Sequence, residues 1–183
     1  MMPADLLSAP AAAWTAYESP LGPLTLIGGD DALHAMYFPG RSGPLDEALR
    51  DPDVFTEVTT QLAEYFAGKR ERFELALALD GTAFQRRVWD MLLTIPYGET
   101  RSYGDIAAEI GRLDRIRAVG AAVGHVPVPI IVPCHRVIGA DGSLTGYGGG
   151  LQRKQALLDL EARVRGGAPP APVWAGRQLS LLA

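Results

Sequence analysis

The alternation of apolar and polar residues divides the chain into two stretches of different character. Between residues 13 and 79, three short β-like runs, Trp14–Glu18, Leu24–Ile27 and Ala32–Phe38, are parted by turn residues at Pro20–Pro23 and Gly28–Asp31. A loop rich in Gly, Pro and Asp covers 39–53. Val54, Val58, Leu62, Tyr65 and Phe66 then share one stripe, which predicts a helix from Pro52 or Asp53 to about Ala67. Phe73, Leu75, Leu77 and Leu79 alternate with Glu74, Ala76 and Ala78, the pattern of a half-buried strand, and Asp80-Gly81 closes the unit.

The second stretch is helical. Thr82 and Gln85 form a capping-box pattern, opening a helix through Val88, Met91 and Leu92 that stops near Pro96. Ser102 and Asp105 repeat the signal. Tyr103, Ile106, Ala107 and Ile110 follow at helical spacing, and Gly111 ends that short helix. Asp114 is placed to cap a further helix with Ile116, Val119 and Val123 on its apolar stripe, ending at Gly124. Two short helices joined by Gly111-Arg112-Leu113 fit a helix-turn-helix, and equally a plain helical hairpin. Ile130–Val132, held extended by Pro133 into Cys134, predicts a buried extended segment continued by Val137 and Ile138. A turn at Asp141-Gly142, a glycine-rich loop over 146–150 and a helix from Leu151 to about Val164 complete the pattern. The expected class is α+β: a small three-stranded sheet with a helix over 1–80, then a helical domain over 81–166 with a short extended segment. A Pro/Gly-rich tail spans 167–183.

Composition narrows the options. The chain has 183 residues, 48% hydrophobic and 21% charged, an ordinary globular mixture that excludes collagen, coiled coil and disorder. Its longest apolar run, Val126–Val132, is interrupted by Pro127 and Pro129 and is far short of the roughly 20 residues of a membrane span. The first residues carry Asp5 and no basic leader, so no secretory signal is expected, and the cytoplasm is the expected location. A single cysteine excludes an internal disulfide and a thiolate zinc site, and three scattered histidines (His34, His125, His135) give no metal set. Residues 1–79 hold 5 basic and 12 acidic side chains, whereas residues 80–165 hold 11 and 9. The second half therefore tilts positive, as a nucleic-acid-facing part would, although two solvated faces of differing charge give the same numbers.

Cys134 is followed directly by His135. A free thiol titrates near ~8.5, so a nucleophilic cysteine needs a positive or proton-accepting neighbour. On an extended segment adjacent side chains point to opposite faces, so His135 reaches Cys134 only through a bend or a bridging water. A buried, inert cysteine fits the same two residues.

The surrounding blocks resolve this. Pro127–Val132 followed by Pro133-Cys134-His135-Arg136-Val137-Ile138-Gly139 closely resembles the active-site motif of the O6-alkylguanine-DNA alkyltransferases. So do residues 95–104 (Ile-Pro-Tyr-Gly-Glu-Thr-Arg-Ser-Tyr-Gly), Arg117-Ala118-Val119-Gly120 and Gly146-Tyr147. The likeness runs from about Thr82 to Glu161, with a looser match in Leu21–Leu24 and Tyr37–Gly40. It implies a supporting, ribonuclease H-like fold for 1–80 and a DNA-binding, alkyl-accepting domain for 81–166. It further implies a suicidal repair protein that rotates O6-alkylguanine (with O4-alkylthymine a second candidate) out of the duplex from the minor groove and takes the alkyl group onto Cys134, without a cofactor or metal. His135 would accept the thiol proton through a water and Glu161 would orient the imidazole. Arg117 would fill the vacated place in the duplex, and Tyr103 would crowd the phosphate and bond the flipped base. The Val137 carbonyl and the backbone of Tyr147, Gly148 and Gly149 would read the base edge, while Ser102 and Arg115 would lie at phosphates.

Two features depart from the family pattern. Val126 stands where the family commonly has an asparagine that ties the recognition helix to the active-site segment, so a looser hinge and slower transfer are expected. Arg115 and Ile116 replace small residues before the arginine finger. Val126 also keeps open a non-catalytic or slow protein that binds alkyl lesions and flags them, although such relatives lack the cysteine. A transcriptional regulator would leave the Pro133–Gly139 block unexplained, and nothing around Cys134 supports a cysteine hydrolase. The expected partner is double-stranded DNA containing alkylated guanine, with no membrane, no obligate protein partner and a monomeric state.

Overall fold

The computed structural model describes residues 13–166; the first twelve residues and the Pro/Gly-rich tail lie outside them. Three antiparallel strands, β1 (Ala13–Ser19), β2 (Gly22–Gly28) and β3 (Leu33–Tyr37), form a meander in the order β1-β2-β3. Ser19 faces Gly22 across a tight turn in which Gly22 adopts φ +95°, a conformation that favours glycine. Leu24, Leu26 and Ile27 bury their side chains, and a register shift at Ile27/Gly28 twists the end of the ladder. The outer edge of β3 is covered: Met36 N–H donates to the Pro127 carbonyl at 2.8 Å, and Leu33 exchanges bonds with Ala76 and Ala78.

Helix α1 (Thr56–Phe66) follows a 3₁₀ turn at Asp53–Phe55 and buries Val58, Gln61, Leu62 and Tyr65. The alternating stretch 73–79 does not become a strand. It makes a single bridge, Leu33 to Leu77, and is otherwise pinned by the buried Gln61 amide, which bonds both backbone groups of Glu74 (2.8 and 3.0 Å). Its apolar residues still pack on the core, so the alternation marks burial, while Pro127 takes the β3 edge at Met36 and the ladder stops at one bridge.

Both sequence-expected capping boxes are present, at Thr82/Gln85 on α2 (Ala83–Leu93) and at Ser102/Asp105 on α3 (Tyr103–Glu109). Gly111, at φ +69°, turns the chain toward α4 (Ile116–Gly124), completing the helix-turn-helix. Asp114 does not cap α4. It sits inside a 3₁₀ turn, Leu113–Arg115, where the Arg112 guanidinium grips its carboxylate at 3.0 Å and removes it from the helix amides. Ile116 is likewise not a core residue; 44% of it is exposed, because α4 starts too far out to reach the cluster that buries Val119 and Val123. Buried Trp89 fastens α2 to α4 through a 2.9 Å bond to the Ala122 carbonyl. A two-residue parallel pair, β4 (Arg101–Ser102) with β5 (Val137–Ile138), sets the start of α3 beside the segment that follows Cys134. Helix α5 (Leu151–Val164) closes the chain described here.

There are two apolar clusters, and the first is shared. Val128, Ile130, Ile131, Tyr97 and Leu157 of the second half pack among the sheet and α1. The second is made by α2, α3 and α4 with Val132, Cys134 and Val137. Among the described residues no helix is long and apolar enough to cross a membrane.

Candidate active site

Cys134, His135 and Arg136 form a 3₁₀ turn and not the extended continuation expected from Pro133. The Cys134 amide bonds the Val132 carbonyl at 2.7 Å and that of Arg136 bonds Pro133 at 3.0 Å. At about three residues per turn, successive side chains fan out by roughly 120°. This bend lets the neighbouring residues of one motif take different directions. All three are buried, and His135 is 0% exposed.

The focus is Glu161, 0% exposed, which the sequence-expected turn of α5 presents to the motif. Its Oε1 accepts from His135 Nε2 (2.8 Å), Tyr65 O–H (2.7 Å) and Arg136 Nη2 (2.9 Å). Its Oε2 accepts from Gly98 N–H (2.9 Å) and Arg136 Nε (3.0 Å). Burial works to raise the carboxyl, but the contacts with His135 and then Arg136 outweigh it and hold Glu161 ionised, below the usual carboxylate range. An ionised carboxylate accepts, so His135 carries its proton on Nε2 and leaves the Nδ1 lone pair free. Nδ1 is buried with no hydrogen-bond partner among the described residues. Burial also lowers the His135 basicity, which keeps the ring neutral near pH 7.

The surroundings of the sulfur favour the thiol over the thiolate. Burial pushes the Cys134 thiol up to about 12, against the pull of the Lys154 ammonium and of backbone hydrogen bonds at Cys134, Ile130 and His135. Ile130 holds φ +76°, alone among the described non-glycine residues. A β-branched residue there is strained, and a backbone group of the same residue hydrogen-bonds the sulfur.

Lys154, fully buried, was not singled out in the sequence. Its Nζ donates to the carbonyls of Val137 (2.5 Å) and Thr145 (2.7 Å), clamping the strand after the motif to the glycine-rich loop. Burial brings it down to about 8, with Cys134 opposing. One lone pair of the Val137 carbonyl, expected to read the base, is thus already engaged. A charge on the apolar stripe of α5, at i, i+3, i+4 and i+7 with Leu157, Leu158 and Glu161, was the available signal. Arg136, quoted only as part of the motif, also bonds the Ile95 carbonyl at 2.7 Å and lies 5.6 Å over the Tyr97 ring.

The remaining expected residues line one side of this centre or lie away from it. Tyr103 is half-buried, with its hydroxyl 3.2 and 3.4 Å from the Thr145 and Gly146 carbonyls. The half-buried Tyr147 ring packs edge-on to Phe38, centroids 5.8 Å apart, and its buried hydroxyl has no hydrogen-bond partner among the described residues. Gly149 is required by protein packing, since a Cβ would come within 2.6 Å of Phe38, whereas Gly148 faces open space. The Ser102 hydroxyl caps α3 by accepting from Asp105 N–H. Arg115 and Arg117 are exposed on the recognition end of α4, outside the buried relay. Val126 is half-buried against the second cluster, and His125 is exposed. Among the described residues no group of three or more His, Cys, Asp or Glu is placed to hold a metal.

Fold and site together define a helix-turn-helix protein carrying one buried thiol backed by an imidazole and a carboxylate. Residues 83–163 match the DNA-binding domain of 6-O-methylguanine DNA methyltransferase, and residues 13–79 match its ribonuclease-like domain. The chain belongs to the 6-O-methylguanine DNA methyltransferase family. It is 55% identical over 150 residues to a methylated-DNA--protein-cysteine methyltransferase of Mycobacterium tuberculosis, covering 79% of this chain and 88% of the relative. With a protein of the same name from Methanosarcina acetivorans it shares 47% over 148 residues, covering 79% and 95%. Among solved structures, Mycobacterium tuberculosis OGT in complex with DNA superposes with a TM-score of 0.79 at 52% identity, covering 83% of this chain and 94% of that one.

Proposed function

We propose that this protein repairs alkylated DNA by moving the alkyl group of O6-alkylguanine onto its own Cys134, once per molecule. The observation that carries the reading is the ordered relay: Glu161 fixes the His135 tautomer, and the free Nδ1 lies one residue from the thiol in a tight turn. The S–C bond forms as the C–O6 bond breaks. The thiol proton passes to His135, directly or through a water, and ends on the departing guanine, so no cofactor enters the balance. Burial favours the protonated thiol in the free protein, so His135 has to take that proton for the sulfur to attack.

Access to the base follows from the same residues. Arg117 enters the duplex from the minor groove as the lesion is rotated out, with Ser102 and Arg115 at phosphates. The Tyr103 hydroxyl exchanges its loop carbonyls for the flipped base. The second lone pair of the Val137 carbonyl, with the backbone of Tyr147, Gly148 and Gly149, receives the base edge. In this reading 1–80 is a supporting domain, 81–166 binds DNA and accepts the group, and the work is done in the cytoplasm.

Incubation with a duplex bearing O6-methylguanine tests it. Mass spectrometry should show one added methylene on the Cys134 peptide, and Cys134→Ala should bind the lesion duplex but clear nothing. Tight lesion binding by the unaltered protein without modification would replace this reading with that of a silent damage-flagging protein.

A further inference from the structure

One contact of the relay comes from the other half of the chain. Tyr65 lies on the buried face of α1, 96 positions from Glu161, and donates to the same Oε1 that receives His135 Nε2–H. Its ring sits among Phe66, Phe73 and Tyr97, where a phenylalanine would bury as well without a hydroxyl to desolvate. The hydroxyl is thus unnecessary for the core and is bonded to the carboxylate that orients the base.

We propose that Tyr65 is a positioning residue for alkyl transfer: its hydroxyl, supplied by the first unit, fixes Glu161 Oε1 and through it the His135 orientation that leaves Nδ1 able to take the Cys134 proton. This rests on the transfer reading above. The Arg136 fork sets the plane of the carboxylate from one side, while Tyr65 and Gly98 N–H each hold one of its oxygens. Each donor also lowers the proton affinity of its oxygen. Without the Tyr65 hydroxyl, Oε1 draws harder on the Nε2 proton and stabilises the imidazolium. The other groups facing this pair are Arg136 on the same turn, Lys154 on α5, Tyr97 in the loop after α2 and Tyr147 in the glycine-rich loop. Tyr65→Phe leaves all of them in place. The direction is therefore fixed: His135 becomes charged, and useless as a base, at a higher pH.

The experiment uses the full chain. Tyr65→Phe should lower the single-turnover transfer rate at neutral pH about ten-fold, the loss of one hydrogen bond to a charged group. The acid limb of its pH–rate profile, and the His135 imidazole midpoint read by ¹⁵N NMR, should both move upward. Affinity for a lesion duplex should not change, since Tyr65 is fully buried. In a Glu161→Gln background the substitution should cost nothing further. A folded Tyr65→Phe protein with an unmoved His135 titration overturns the proposal, whether its rate is normal or reduced by one factor at every pH. The NMR titration needs no alkyl transfer, so failure of the wild-type protein to take a methyl group would sink the transfer reading separately.

Discussion

The relay around Glu161 and the recognition end of α4 are built to opposite rules. At the relay, Cys134, His135, Arg136, Lys154 and Glu161 are all buried, and one carboxylate receives donors from four residues on three segments. At the recognition end, Leu113 is 64% and Ile116 44% exposed, Arg115 and Arg117 face solvent, and α4 begins with no side-chain cap. Chemistry at a carbon centre needs atoms held to fractions of an ångström in a dry site. Entering a groove of variable sequence needs charge and adaptable side chains, with geometry settled on binding. The contrast assigns damage from mutation accordingly: at the relay it should reach rate and stability together, and at α4 the handling of duplex DNA with stability unchanged.

The sharpest way to break that contrast is Glu161→Gln. It removes the carboxylate charge and leaves the buried Arg136 guanidinium without its counter-ion. Destabilisation of about 3–5 kcal/mol is expected, together with a fall in transfer rate of at least about a hundred-fold. Urea unfolding and single-turnover kinetics check both. A stable protein with slow transfer would mean that the relay is not part of the structural frame.

Acid should act on the same residues. An unfolded His takes up a proton near ~6.5, whereas the buried His135 is held below that; an unfolded Glu does so near ~4.3, whereas Glu161 stays ionised. In both intervals the unfolded chain binds more protons, so stability falls as pH falls. The urea midpoint should decline from about pH 6.5 and more steeply below about 4.3, and His135→Gln should remove the upper part of the decline. A midpoint flat between about pH 5 and 7 would show that His135 takes up its proton equally in the folded and the unfolded chain.

The same division explains what could be read from the chain. Elements set by local chemistry are legible: both capping boxes, the three β-runs, the Gly111 turn and α5 fall where pattern places them. Features set by distant partners are not. Whether Phe73–Leu79 forms a ladder depends on Gln61 and Leu33, and the fate of Asp114 depends on Arg112. At the site, Cys134 and His135 announce themselves by adjacency, and the family likeness adds Glu161. Tyr65 hides in an apolar stripe and Lys154 in a helix of mixed charge, because burial of a polar group is a property of the assembled fold.

The α4 end gives a smaller effect of another kind. Arg117→Ala should reduce transfer from duplex DNA about ten-fold and from a single-stranded oligonucleotide much less, since a single strand has no vacated place to fill. Its urea midpoint should match the wild type. Equal losses on both substrates would remove Arg117 from the flipping step.

Val126 joins the two regions, and the smallest effect is expected there. Between α4 and Cys134 the chain is held by Met36 N–H to the Pro127 carbonyl and by Val132 N–H to the Val128 carbonyl. Pro127 and Pro129 offer no amide, and the half-buried Val126 side chain adds packing but no hydrogen bond. Among the described residues the chain between α4 and the reactive turn is thus hydrogen-bonded through its backbone alone, with the rest of the coupling left to packing. Val126→Asn would give the segment a side chain able to bond its neighbouring amides and carbonyls. Movement of α4 onto DNA would then be passed on to Cys134 more stiffly. A rise of a few-fold in single-turnover rate, with unchanged affinity, is the expected result, roughly the ~1 kcal/mol of one added hydrogen bond. An unchanged or lower rate would mean that valine already transmits the motion, and that the buried relay and the exposed helix are coupled by packing.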